Sequence, residues 1–157
     1  MRKTFAAKLT FLVVASLFYG GLMSAASEAA QSSSKEALFE TSPCRGMVQK
    51  LNKKHKTDLQ RAFVKHLNDS DPQLHVKSTN IIRAFASGHW SLFYVQTYVS
   101  DEIFLFYAGD PLTNRFVARW SGWAEKNEEP EIKNDILKKA PGIPPQLAGC
   151  FAWYVTH

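Results

Sequence analysis

The chain has 157 residues, 45% of them hydrophobic, 13% aromatic and 21% charged, with a formal net charge of +5 at neutral pH. That length is the usual size of one domain and is enough for a real core without a metal or many disulfides. The charge is too mild to argue for a nucleic-acid binder by itself, and no such partner is expected.

The first residues read as an export signal. Arg2, Lys3 and Lys8 form a positive start, Leu9 to Tyr19 is an apolar run, Gly20 and Gly21 loosen it, and small residues follow up to Ala30. Small side chains at the two positions read by signal peptidase place cleavage between Ala26 and Ala30. A spanning helix needs roughly 20 apolar residues, and this run is shorter and ends in polar, cleavable sequence. No cysteine lies near the cleavage region, which argues against a lipid anchor, and no second long apolar stretch exists. The expected organisation is a Sec-type signal peptide over 1–29, a flexible leader over 30–41 and a single α+β domain over 42–157. Losing three basic residues and Glu28 leaves a net charge of about +3.

Ser42 and Pro43 look like a helix start, with Ser42 as cap and Pro43 in the first turn. Cys44, Val48, Leu51, His55, Leu59, Ala62 and His66 recur at the three-to-four spacing of one helix face. Thr57 followed by Gln60 is a capping-box pattern. The segment therefore reads as one helix from about 44 to 67 or as two in succession. From Leu74 the period shortens. Val76 to Ala86 reads as a moderate strand and Trp90 to Val99 as a strong central one. In the latter, Trp90, Leu92, Tyr94 and Tyr98 point one way and Phe93, Val95 and Val99 the other.

Ser100 and Asp101 make a turn, Glu102 to Ala108 returns as a strand, and Gly109, Asp110 and Pro111 break the sheet. Arg115 to Ser121 alternates, with Phe116, Ala118 and Trp120 inward and Arg115 and Arg119 outward. Short connections imply an antiparallel meander of about four strands. A charged helix over Pro130 to Lys139 follows, with Ile132, Ile136 and Leu137 as its apolar stripe. A proline-stiffened connector from Ala140 to Pro145 leads to a last helix over about 145–155. The order gives an α+β fold with an N-terminal helix or helix pair, a four-strand sheet and two C-terminal helices.

Cys44 and Cys150 are the only cysteines. In an oxidising compartment they are expected to pair, tying the start of the domain to its end. A loop of that length contributes ~4–5 kcal/mol in the chain-entropy model. Histidines 55, 66, 75, 89 and 157 include no pair at i, i+2 or i, i+4, so no metal site is expected and no cofactor motif is present.

One arrangement points to covalent chemistry. Cys44 sits at an expected helix start in Pro43-Cys44-Arg45-Gly46-Met47-Val48-Gln49, where a helix N-terminus favours thiolate. His89 opens the strong strand in Gly88-His89-Trp90-Ser91-Leu92-Phe93-Tyr94. This local sequence resembles the papain-like peptidoglycan peptidases. The resemblance implies Cys44 as nucleophile, His89 as base and a polar group such as Asp101 to orient it. The Gly-Asp segment that precedes the histidine strand in that family is missing, and Cys150 offers Cys44 a partner that would silence it.

The other feature is aromatic. Eleven aromatic residues lie between Phe85 and Trp123. Trp90, Tyr94, Tyr98, Tyr107, Trp120 and Trp123 either fill the core or form a sheet-borne platform of the kind that dominates binding hot spots. Trp123, beside a glycine and beyond the strand, is the one expected at the surface. Charge is also divided. Arg45, Lys50, Lys53, Lys54, Lys56, Arg61 and Lys65 face Asp58 alone, and Glu125, Glu128, Glu129, Glu131 and Asp135 make the opposite patch. These are either solvated helix faces or a bipolar surface that orients a partner.

The reading that best fits is a small non-catalytic protein of the periplasm, or alternatively a secreted one, that binds another exported or envelope protein. Trp120, Trp123, Arg115, Arg119, Lys53 and Lys54 are its candidate contact residues. The competing readings are a cell-wall hydrolase using Cys44 and His89, and a small-ligand carrier with its pocket between sheet and helices.

Overall fold

The computed structural model describes residues 39–157. Positions 1–38, which carry the signal-peptide reading and most of the expected leader, lie outside the described residues. The fold is α+β. Helix α1 spans Lys53–Ser70, strands β1 to β4 span Asn80–Ser87, Trp90–Gln96, Ile103–Ala108 and Ala118–Ser121, and helices α2 and α3 span Glu129–Lys139 and Pro145–Thr156. The strands form one antiparallel sheet in chain order, the expected meander.

Residues 39–41 are helical, and helix α1 starts later than its periodicity suggests. Residues 43–47 are turns, and Val48 bridges to Phe85. The helix opens at Lys53 because Asn52 caps it, its Oδ1 accepting from the His55 N–H at 2.9 Å. Ser42 caps a turn instead: its hydroxyl accepts from the Cys44 N–H and donates to the Phe39 carbonyl. Thr57, expected as a possible cap, lies inside the helix and donates to the Lys53 carbonyl. Phe39, within the segment expected to be a flexible leader, packs against Phe85, Trp153 and Tyr154.

The sheet separates two cores. On one face Leu59, Phe63 and Leu67 of α1 cover Ile81, Phe93, Val95, Ile103, Leu105 and Tyr107. On the other, α2 and α3 bring Ile132, Ile136, Leu147 and Phe151 onto Phe85, Leu92, Phe104 and Phe106. Central strands β2 and β3 are thus apolar on both sides, as their sequences indicate. The β1–β2 connection is the two-residue loop Gly88–His89 between the paired Ser87 and Trp90. Gly88 takes φ 60°, the left-handed position that the first residue of a type II′ hairpin turn requires.

Two side-chain orientations differ from expectation. Strand β2 ends at Gln96, so Tyr98 and Val99 leave the sheet and are exposed, with Tyr98 at φ 61°. Strand β4 begins only at Ala118, so the alternation read from Arg115 breaks. Phe116 packs beside Tyr107 on the α1 face, while Ala118 and Trp120 face α2 and α3.

Cys44 and Cys150 form the expected disulfide across 106 residues, with Cα atoms 4.5 Å apart and both side chains fully buried. It fastens the turn before α1 to the middle of α3. Among the described residues no helix is long and apolar enough to cross a membrane.

Candidate binding groove

Strand pairing sets side chains in transverse rows. Arg83 pairs with Tyr94, Tyr94 with Phe104, and Phe104 with Trp120, so these four stand side by side across the sheet on the face covered by α3. A β-bulge makes this row possible. The register shifts between Ile81 and Arg83, leaving Ile82 without a partner. A bulge re-aims the residue that follows it: Ile81 stays in the α1 core, Ile82 turns outward and is 42% exposed, and Arg83 joins the aromatic row.

The end of α3 lies over one side of this row. Tyr94 stacks on Phe104 at 4.6 Å, and Tyr154 meets both rings edge-on. Trp123, on the chain leaving β4, stands edge-on to Tyr94 at 5.8 Å and lies 6.0 Å from Tyr154, yet is 60% exposed. Together with Phe39, Trp153, Ile82 and Arg83 these residues line a groove of about 370 Å³, a volume within the range of small-molecule sites.

His157 also lines the groove, and Arg83 in its wall forms no ion pair among the described residues. The Arg83 guanidinium sits over the Phe39 ring at 5.1 Å. Its Nε is buried and finds no hydrogen-bond partner among the described residues, while the guanidinium reaches the Tyr154 hydroxyl. Every other arginine described is ion-paired: Arg45 with Glu40, Arg61 with Asp58, Arg115 with Asp69 and Arg119 with Asp71. Burial raises the hydroxyl pKa of Tyr154 against the opposing pull of Arg83, and burial followed by the charge of Glu102 raises that of Tyr94. Both phenols therefore stay protonated and able to donate at neutral pH.

A second cleft, of about 700 Å³, lies on the other side of Trp123. Trp120, Glu128, Glu131 and Asp135 line it, and Lys139 sits over the Trp120 ring at 5.5 Å. Trp123 is the wall common to both hollows.

The contact residues expected from sequence divide between the two faces. Trp120 and Trp123 belong to the α2–α3 side. Arg115 and Arg119 reach the α1 side, where Asp69 and Asp71 hold them at 3.6 and 3.7 Å. Lys53 and Lys54 lie at the start of α1, and Lys54 pairs with Asp58 at 3.1 Å. The six do not form one patch. Of the other aromatics proposed as a platform, Trp90 and Tyr107 are buried in the two cores.

The candidate hydrolase residues are not brought together. The Cys44 sulfur is held in the disulfide, fully buried. His89 lies in the β1–β2 turn, exposed, rather than opening β2, and Asp101 lies in the loop at the opposite end of that strand. Seven strand residues place those two ends roughly 20 Å apart. Among the described residues no group of three or more histidine, cysteine or acidic side chains is placed to hold a metal.

Sequence reasoning missed Phe39, Ile82, Arg83, Trp153 and Tyr154. Trp153 and Tyr154 are adjacent on the expected last helix, but nothing in the sequence turned them toward a groove. Arg83 carried no signal, because only the bulge decides its face. Compared with protein-family models, curated proteins and solved structures, the chain matches none.

Proposed function

We propose that this chain is an exported, non-catalytic binding protein, of the inhibitor, immunity or envelope accessory kind, that meets its partner at the aromatic edge around Trp123. The observation that carries the reading is a tryptophan 60% exposed between two hollows and backed by Tyr94 and Tyr154. A large ring held by other rings offers contact area at low entropy cost, the usual property of a binding hot spot. The buried disulfide supports an oxidising compartment, and the basic, apolar and small-residue order of positions 1–30 supports the periplasm as that compartment. The partner is another exported or envelope protein. Replacing Trp123 by alanine should reduce capture of that partner at least tenfold (a hot-spot loss of about 2 kcal/mol or more) while leaving the melting temperature nearly unchanged. Undiminished capture by Trp123→Ala would refute the assignment.

A small-ligand carrier is the second reading. It is favoured by one observation, the groove of about 370 Å³ with Arg83 in its wall.

A further inference from the structure

The chemistry of the groove selects a class of ligand. Its walls are aromatic, and besides His157 its polar side chains are donors: the Arg83 guanidinium, which reaches the Tyr154 hydroxyl, and the protonated hydroxyls of Tyr94 and Tyr154. A partly buried guanidinium held only by the Phe39 ring and the Tyr154 hydroxyl, with its Nε unbonded and no ion pair among the described residues, is costly to leave without a counter-charge. Elsewhere on the molecule the described arginines have ion-pair partners. The bulge at Ile82 is what turns this residue into the aromatic row. A local irregularity thus sets a cation among rings, where a ligand can supply the counter-charge.

We propose that the groove binds a small amphiphilic anion, a single carboxylate carried on an aromatic or other apolar body. The carboxylate lies on Arg83, in reach of the Tyr154 hydroxyl, and the apolar body lies between Trp123 and Trp153. Arginine matches a carboxylate with two parallel donors, and the rings remove the rest of the molecule from water. This rests on the carrier reading and is independent of any protein partner. Loss of partner capture in Trp123→Ala with no ligand binding would separate the two.

The test is calorimetric titration of the disulfide-intact protein with 1-naphthoate and with 1-naphthalenemethanol, which has the same ring system and no charge. The expected result is binding of naphthoate about tenfold or more tighter than the alcohol. Arg83→Met should remove that preference and leave the alcohol unchanged, whatever the melting temperature does as the Phe39 and Tyr154 contacts are lost and the unpaired charge is removed. Trp123→Ala should weaken both ligands. A purely structural Arg83, holding Phe39 and Tyr154, predicts instead no change in naphthoate preference. Equal binding of the two ligands, or none by the wild type, would overturn the proposal.

Discussion

The two faces of the sheet are finished differently. On the α1 face the apolar contact is closed and its border is laced with ion pairs. Asp58, Asp69 and Asp71 together take Lys54, Arg61, Lys65, Arg115 and Arg119. The connection behind α1 is also fastened: the Asn68 amide both donates to and accepts from the Val76 backbone at 2.8 Å, and Gln60 and Thr79 exchange hydrogen bonds. On the α3 face a comparable core is tied by the disulfide, but its border is aromatic, with Trp123 and Ile82 exposed and Arg83 facing no described carboxylate. The basic α1 surface is the more conspicuous in sequence; three aspartates hold five of its cations, and Lys53 and Lys56 form no ion pair among the described residues, so it keeps a solvated positive excess. The unfinished border is the one with something left to bind.

The largest effect that would sharpen this contrast is loss of the staple. Reduction, or the pair Cys44→Ser with Cys150→Ser, should cost about 4–5 kcal/mol in denaturant titrations, from a closed loop of 106 residues. Amide exchange protection should fall first in α3 and later in α1, because Cys150 lies in α3 and no disulfide touches α1. Simultaneous loss in both helices would show that the faces are not separable.

Next is Phe63→Ala, on the face without the disulfide. Phe63 is fully buried against Phe93 and Tyr107, so its truncation should cost about 3–5 kcal/mol with the disulfide intact. A cost under about 1 kcal/mol would mean that this face collapses readily and is not the closed one.

These two faces were unequally legible. Double-sided apolar strands β2 and β3, the proline-bounded final helix and the disulfide followed directly from residue order, because periodicity and compartment chemistry act locally. The start of α1 did not. Cys44, Val48 and Leu51 keep helical spacing with Leu59, but Val48 joins β1 as an isolated bridge and Asn52 offers a better cap. At the candidate site Trp123 was legible from its place beside Gly122. Arg83 and Phe39 were not, since a bulge and a packing contact across the chain decide where they lie.

A smaller effect is the pH response of the α1 face. Burial, followed by the positive charge of Lys65, lowers the pKa of His66 below its usual 6.5; Asp69 pulls the other way and Arg115 adds to the lowering. His66 Nδ1 lies 3.2 Å from the Tyr107 hydroxyl, itself kept protonated by burial. The unfolded chain therefore takes up this proton first. The contribution to stability is complete above about pH 6.5 and is lost as pH falls below it and through the lower folded value. Denaturation midpoints between pH 5 and 8 should rise with pH, and His66→Gln should flatten the rise. An unchanged slope in the variant would assign it to other groups.

Smallest is the stability effect of Trp123→Ala. A side chain 60% exposed should cost less than about 1 kcal/mol when truncated. A loss of several kcal/mol would return Trp123 to the core and remove the contrast on which the binding face rests.

The most direct measurement places a photoactivatable aromatic residue, which keeps a large ring in place of Trp123, at position 123 and, in a separate variant, at Lys56 on the charged α1 face, in cells that make the protein. The account predicts a discrete protein adduct from position 123 that is absent from position 56 and suppressed by excess wild-type protein. An adduct at position 56 with none at 123 would contradict it and move the binding face to the other side of the sheet.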